Sequence, residues 1–325
     1  MANLAYYHAV EADGITYSVD MLTIRGTHQP EVLSVAYVWP TKISFINGFV
    51  IKLRAFCEKN GFLDQHYDSF SMLSYRDSWI VKRVSDSATI KFFFGLRTYN
   101  KSGLNSWKIQ FNPNKLLPCD DLIDLIGWIM ARSKNAKISS FDAAADIQIP
   151  RSSAFMMKDK RKYRLDLSSQ EDKTEYLGAR AENGFCKLYN KQIESKLPYP
   201  LTRFELTVVF DSSGVFSVDR LRKMIPEIYL FDVQATFDSH SVSPSYSLLV
   251  RFCLEHPDGL LYLGKDKKAK IKALIASMAR RADFDVDIWM NLYSYYVRLF
   301  NGALLAFREA NARGALPKDD GAGVL

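Results

Sequence analysis

The sequence predicts an α+β protein: antiparallel sheets with helices packed on one side, followed by a mostly helical C-terminal part. Three observations lead there. Runs rich in β-branched and aromatic residues dominate the first half, amphipathic helical runs are interspersed among them, and three later runs alternate polar with apolar residues at the two-residue period of a strand.

Taken in order, the first strand is expected at Tyr17 to Arg25, and a helix from about Ile43 to Lys59 stops at Asn60-Gly61, a pair suited to a helix C-terminus. Strands follow at Trp79 to Val84, Thr89 to Phe94 and Trp107 to Phe111. A helix after Pro118 carries Asp120 and Asp121 in its first turn, where the helix dipole favours acids, and Leu122, Ile126, Ile129 and Met130 on one face. The polar-faced strands lie in Ile138 to Ile149 and in Tyr176 to Val208, with the proline break at Leu197 to Pro200 joining adjacent strands. After about Phe210 the pattern changes. Asp211 to Gly214 is a turn, Ser217 caps a short helix through Met224, and Asp238 to Tyr246 reads as a serine-rich loop. From Ala269 the chain is mostly helical, and Val286 to Ala312 spaces Trp289, Leu292, Tyr296, Leu299, Ala303 and Phe307 as a stripe for intrachain packing or a homodimer contact. Residues 313–325 read as a disordered tail, which gives a division into 1–212, 213–312 and 313–325.

A formal charge of +7 and a pI near 9.0 favour a polyanionic partner. Two clusters concentrate that charge. Lys158, Lys160, Arg161, Lys162 and Arg164 would form a basic loop joining the Asp142 strand to the Tyr176 strand and hanging over the site, rather than only a solvated hairpin tip, and Lys267, Lys268 and Lys270 lie in the run Lys265 to Lys272 that opens a helix. No apolar run is long enough to span a bilayer and no signal peptide is read, so no membrane partner and a cytoplasmic location are expected. Cys57, Cys119, Cys186 and Cys253 are scattered without a C-x-x-C pair, which argues against a disulfide framework or a zinc finger.

On the strand starting near Cys186, Lys187, Tyr189 and Lys191 share one face; on the next, Arg203 and Glu205 share one face while Phe204 and Leu206 take the other. Asp142, Ala144 and Asp146 do the same upstream. Clustered carboxylates carry a desolvation and like-charge cost that a divalent cation relieves, so Asp142, Asp146 and Glu205 are candidate hard-metal ligands. Tyr189 is the candidate nucleophile. Tyr176 is the alternative; only Tyr189 has lysines two places away on its own face to lower its pKa. Cys186 lies on the opposite face.

The order D-x-x-x-D, then Tyr-Leu-Gly-x-Arg at 176–180, Leu-Tyr-Asn-Lys at 188–191 and Thr-Arg-Phe-Glu-Leu at 202–206 resembles the Rep_trans family of rolling-circle replication initiators, which includes plasmid and filamentous-phage initiators and some relaxases. The resemblance covers roughly the first two-thirds of the chain. It departs at Ser140, where relatives usually have arginine, and at Ala179, where serine is usual. It implies a relaxase-like or rolling-circle-nuclease-like fold and a metal-dependent, site-specific DNA nicking-closing enzyme. Its tyrosine would join the 5′ phosphate and leave a 3′ hydroxyl primer. Carried onto this chain, Tyr189 attacks, Mg²⁺ or Mn²⁺ sits on Asp142, Asp146 and Glu205, Arg203 and Lys191 bind phosphate, and Arg180, Lys187 and the basic loops hold DNA. Residues 1–212 would then nick, and 213–312 would bind origin duplex or dimerise. Each of the dispersed histidines reads first as a surface residue; were one to complete the metal shell, His66 or His240 would be favoured. No G-x-x-x-x-G-K-[ST] occurs, so unwinding falls to a host helicase.

Overall fold

The computed structural model describes residues 6–28, 38–67, 75–96, 106–169, 171–210, 217–231, 243–255, 259–260 and 262–312. Strands β1 (Ala9–Ala12) and β2 (Ile15–His28) form a hairpin about Asp13 and Gly14, both at positive φ, 51° and 72°, the backbone that a tight hairpin of right-handed twist demands. The helix Val38–Asn60 precedes β3 (Phe62–Tyr67), β4 (Tyr75–Arg83), β5 (Thr89–Leu96) and β6 (Ser106–Phe111). Helices Pro113–Leu116 and Asp120–Ala131 lead into β7 (Ser133–Ile147), longer than the run expected from sequence. Then come β8 (Ala154–Met156), β9 (Tyr163–Leu167), β10 (Lys173–Leu177), β11 (Cys186–Asn190) and β12 (Thr202–Val209). The helix Val218–Met224 is capped by the Ser217 hydroxyl, which accepts from the Arg220 N–H as its sequence implies. After it lie β13 (Ile228–Leu230), the helices Pro244–Glu255 and Lys265–Met278, β14 (Arg280–Arg281) and the terminal helix Val286–Ala312.

The chain divides into two units, each made of two segments: Met1–Ser18 with Asp142–Met290, and Val19–Phe141 with Asn291–Leu325. The boundary expected at 212/213 falls inside the first. The second unit is an antiparallel α+β layer in which the strand order is β3-β4-β5-β6-β2-β7. Phe45, Phe49, Leu53 and Phe56 recur at helical spacing on Val38–Asn60 and are buried. Phe49 meets Trp79, Phe92 and Phe94 with ring centroids at 5.3, 5.2 and 4.8 Å, and burying each such ring stabilises by about 1.5–3 kcal/mol. From the terminal helix, Phe300 meets Phe111 edge-on at 6.1 Å and Tyr293 stacks on Phe141 at 5.4 Å. A Cβ at Gly127 would lie 3.0 Å from the Ala303 Cβ and 3.1 Å from its carbonyl oxygen, so the two helices cross closely there and a side chain would require the neighbour to shift by a few tenths of an ångström.

In the first unit, β12, β11, β10 and β9 pair antiparallel in that order beside the end of β7. One face is core: Leu177, Cys186, Leu188, Phe204 and Leu206 are fully buried. Phe204 stacks on Phe284 at 5.0 Å, and the Trp289 indole N–H donates to the Ala144 carbonyl at 2.9 Å. A small sheet, β14-β13-β8, closes a separate core with Val250, Cys253, Ile271 and Ile275 from two helices. The basic cluster does not join the Asp142 strand directly to the Tyr176 strand, since β8 and β9 intervene. Lys158 to Lys162 link β8 to β9, and Arg164 stands within β9, a strand whose charged residues hid it; the hairpin turn lies instead between Leu167 and Lys173. Pro244–Glu255 is helical, so Tyr246 is not in a loop, while residues 238–242 and the tail 313–325 lie outside the described residues.

Candidate functional site

Strand register assembles the site. Arg164 pairs with Tyr176, Tyr176 with Lys187, Lys187 with Glu205 and Tyr189 with Arg203, and residues directly opposed across antiparallel strands project to the same face. The polar faces expected separately for each run thus become one surface, opposite the core. At its centre the Glu205 carboxylate accepts twice: from the Tyr189 hydroxyl at 2.6 Å on Oε1 and from the Lys187 ammonium at 2.6 Å on Oε2. Glu205 is 5% exposed and Tyr189 8%, so the tyrosine bond forms where water competes little, while the Lys187 side chain is 37% exposed and its ion pair is open to solvent. The Lys187 ammonium lies 5.5 Å from the Tyr189 ring centre.

The other two carboxylates are differently engaged. Asp146 receives a bidentate guanidinium, Arg203 Nε to Oδ1 and Nη2 to Oδ2, both at 2.6 Å, and a further bond from the Tyr6 hydroxyl. Arg203 and Asp146 are 1% and 2% exposed. The expected phosphate-binding arginine is therefore a buried partner of an expected metal ligand, because a guanidinium on the adjacent strand satisfies the carboxylate that a cation was expected to satisfy. Asp142 accepts from the Thr207 hydroxyl at 2.7 Å. Among the described residues no three His, Cys, Asp or Glu side chains gather as a metal-binding group; the side chains of His66 and His240 lie outside those described.

Lys191 also departs from expectation. Strand β11 ends at Asn190, whose side chain accepts from the Ile193 N–H at 2.9 Å and caps the helix Lys191–Ser195. Lys191 is thus helical, buried, and ion-paired to Glu194, with its ammonium 5.8 Å from the Tyr189 ring centre. Tyr176 lies between the Arg164 guanidinium, 4.1 Å from its ring centre, and the Phe185 ring, stacked at 6.0 Å. A cleft of about 620 Å³ opens over these groups, lined among others by Lys162, Arg164, Tyr176, Arg180, Lys187 and Tyr189. Gly178, at φ 93°, turns the chain out of β10 along its edge. Arg161 is turned aside by Asp159 and donates to the Gly184 carbonyl at 2.5 Å. Lys158 and Lys160 stand outside this lining. Lys267, Lys268 and Lys270 are on the helix Lys265–Met278, with the Lys270 ammonium 4.2 Å from the Tyr246 ring centre.

Two groups escaped the sequence reading. Tyr6, in no periodic run, is held on Asp146, and burial first and then that carboxylate raise its phenol pKa. Beneath the cleft, fully buried Arg151 and Glu175 form an ion pair; Glu175 also accepts from the Tyr163 hydroxyl at 2.9 Å, and Arg151 donates to the Ala154 carbonyl at 2.7 Å. Glu175 occupies a core-facing position in its strand, a charged residue out of place that alternation alone makes visible. Burial pushes the Cys186 and Cys57 thiols up to about 12. Iodoacetamide at about pH 8 is expected to spare both in the native protein and to modify both after unfolding, as peptide mass spectrometry would record.

No family model and no curated protein matches the chain. Among solved structures it is similar to a rolling circle replication initiator protein from Geobacillus stearothermophilus, with 14% identity over 64% of this chain and 78% of that one and a TM-score of 0.36, a likeness too low to carry an argument. No described helix is long and apolar enough to cross a membrane.

Proposed function

We propose that this protein is a DNA strand transferase that starts rolling-circle replication, with Tyr189 as its nucleophile and Glu205 as its general base. The observation that carries the reading is the 2.6 Å bond from the Tyr189 hydroxyl to the buried Glu205, where Tyr189 and Lys187 line a cleft that also presents Lys162, Arg164 and Arg180. The residue order that resembles rolling-circle initiators supports it. In the proposed reaction Glu205 takes the phenol proton as the Tyr189 oxygen bonds to phosphorus. The bond from phosphorus to the 3′ oxygen breaks, the 5′ phosphate stays on the tyrosine, and the departing 3′ oxygen takes up a proton to become the primer hydroxyl. Lys187 holds Glu205 in place and, with Lys162, Arg164 and Arg180, offers cationic charge to the phosphate backbone.

Mg²⁺ or Mn²⁺ remains part of the proposal as a cofactor to be tested. The described carboxylates do not fit a shared ion as they stand, since Asp146 is committed to Arg203, so no step is routed through one. Origin duplex and single strand are the proposed partners, with a host helicase for unwinding; the same chemistry would serve a relaxase. A non-catalytic DNA-binding regulator is the second reading, favoured by the engagement of each of the three carboxylates with a neighbouring side chain.

The test is incubation with supercoiled plasmid carrying the gene and its flanks, with each ion and with chelator, followed by tryptic mapping of any protein–DNA adduct. The reading expects the nucleotide on the peptide Leu188–Lys191; an adduct on Thr174–Arg180 would transfer the role to Tyr176. Tight binding with no adduct under any ion would favour the regulator.

A further inference from the structure

We infer that the non-core face of the second unit's sheet carries a separate, sequence-independent binding site for the phosphate backbone of duplex DNA, formed by Arg25, Lys91 and Lys108. The inference rests on the proposed action on DNA but uses none of the residues assigned to it. Lys108 on β6 lies opposite Arg25 on β2 and opposite Phe93 on β5, and Lys91 is two places from Phe93 on the same strand. All three cations therefore share one face, while Ile24, Phe92, Phe94, Trp107 and Ile109 fill the other as core.

Among the described residues no carboxylate offsets this positive charge. Positions sharing this face on β2, β4, β5 and β6 include no Asp or Glu, and no ion pair to the three cations occurs among the described residues. Lys108 instead rests on rings, its ammonium 4.3 Å from the centre of Phe93 and 5.2 Å from that of Tyr75. Burial first, then the charges of Arg25 and Lys91, lower its pKa to about 8. Three cations gathered on one sheet face gain most from a ligand of high negative charge density, and duplex DNA presents one charge per roughly 1.7 Å of axis. Single-strand recognition stacks bases on exposed rings, whereas Phe93 and Tyr75 are 4% and 8% exposed beneath the ammonium. That selects duplex over single strand, and a backbone contact over base readout.

The test is a salt titration of binding to a short duplex of arbitrary sequence by fluorescence anisotropy, with the full chain carrying Arg25→Gln and Lys91→Gln, two exposed positions. Affinity is expected to fall roughly tenfold or more, and the slope of log affinity against log salt to shrink by about 2. The charge-keeping pair Arg25→Lys and Lys91→Arg is expected to retain both. Unchanged affinity and slope in the glutamine variant would overturn the inference. So would a loss seen only with a single-stranded oligonucleotide or with vesicles of anionic phospholipid. Performing the titration in the Tyr189→Phe background separates the two proposals, because failure of the strand-transfer reading removes the adduct and leaves this binding measurable.

Discussion

Replacing Tyr189 by phenylalanine is expected to abolish both nicking and the covalent adduct, while Tyr176→Phe leaves both within a few-fold of the native protein. The two tyrosines differ in what their hydroxyls do. The Tyr189 oxygen sits on a carboxylate able to take its proton, whereas the Tyr176 ring is held by Arg164 and Phe185, contacts that phenylalanine keeps. Loss of the Tyr189 oxygen leaves Lys187 on the second oxygen of Glu205, so the fold is expected to lose no more than about 1 kcal/mol, the usual worth of one hydrogen bond. Glu205→Gln keeps the shape but removes the base, and the nicking rate is expected to fall by about 10²–10⁴-fold. Single-turnover nicking with these three variants decides the matter, and an adduct that survives in Tyr189→Phe refutes the assignment.

Arg203→Met is expected to be the most damaging single change to stability, lowering it by about 3–5 kcal/mol, because it strands the Asp146 charge in a site that water does not reach. The Tyr6 hydroxyl remains as a donor to that carboxylate but brings no positive charge. Combining Arg203→Met with Asp146→Leu removes both charges and should recover much of the loss, since a buried pair replaced by apolar groups is often neutral. Urea unfolding midpoints measure the difference. If Arg203→Met unfolds with the native protein, Asp146 and Arg203 are not the buried pair described, and Arg203 becomes available to a phosphate.

The strands of the site were legible because alternation is a local rule. Leu188, Phe204 and Leu206 are buried as their positions require, and Lys187, Tyr189 and Glu205 meet on the other face. Which carboxylate meets which cation was not legible. Asp146 and Arg203 are separated by 57 positions, and only the placement of β7 beside β12 brings them together. The Arg25, Lys91 and Lys108 face was hidden for the same reason, since its cations come from three strands spread over most of the second unit's first segment. Lys191 was misread through a local rule that stopped one residue early: Asn190 turns the strand into a helix, and the two-residue period ends there.

The interleaving of the two units changes what a truncated gene would produce. A chain stopped at residue 212 loses the remainder of the first unit's core, including Phe284 and Trp289 against Phe204, and also strips Tyr293 and Phe300 from the second. Neither half would be a spared bystander of the other's removal. Assigning nicking to one end of the polypeptide and DNA choice to the other by deletion would therefore measure misfolding. Functions in this molecule have to be separated by side chain.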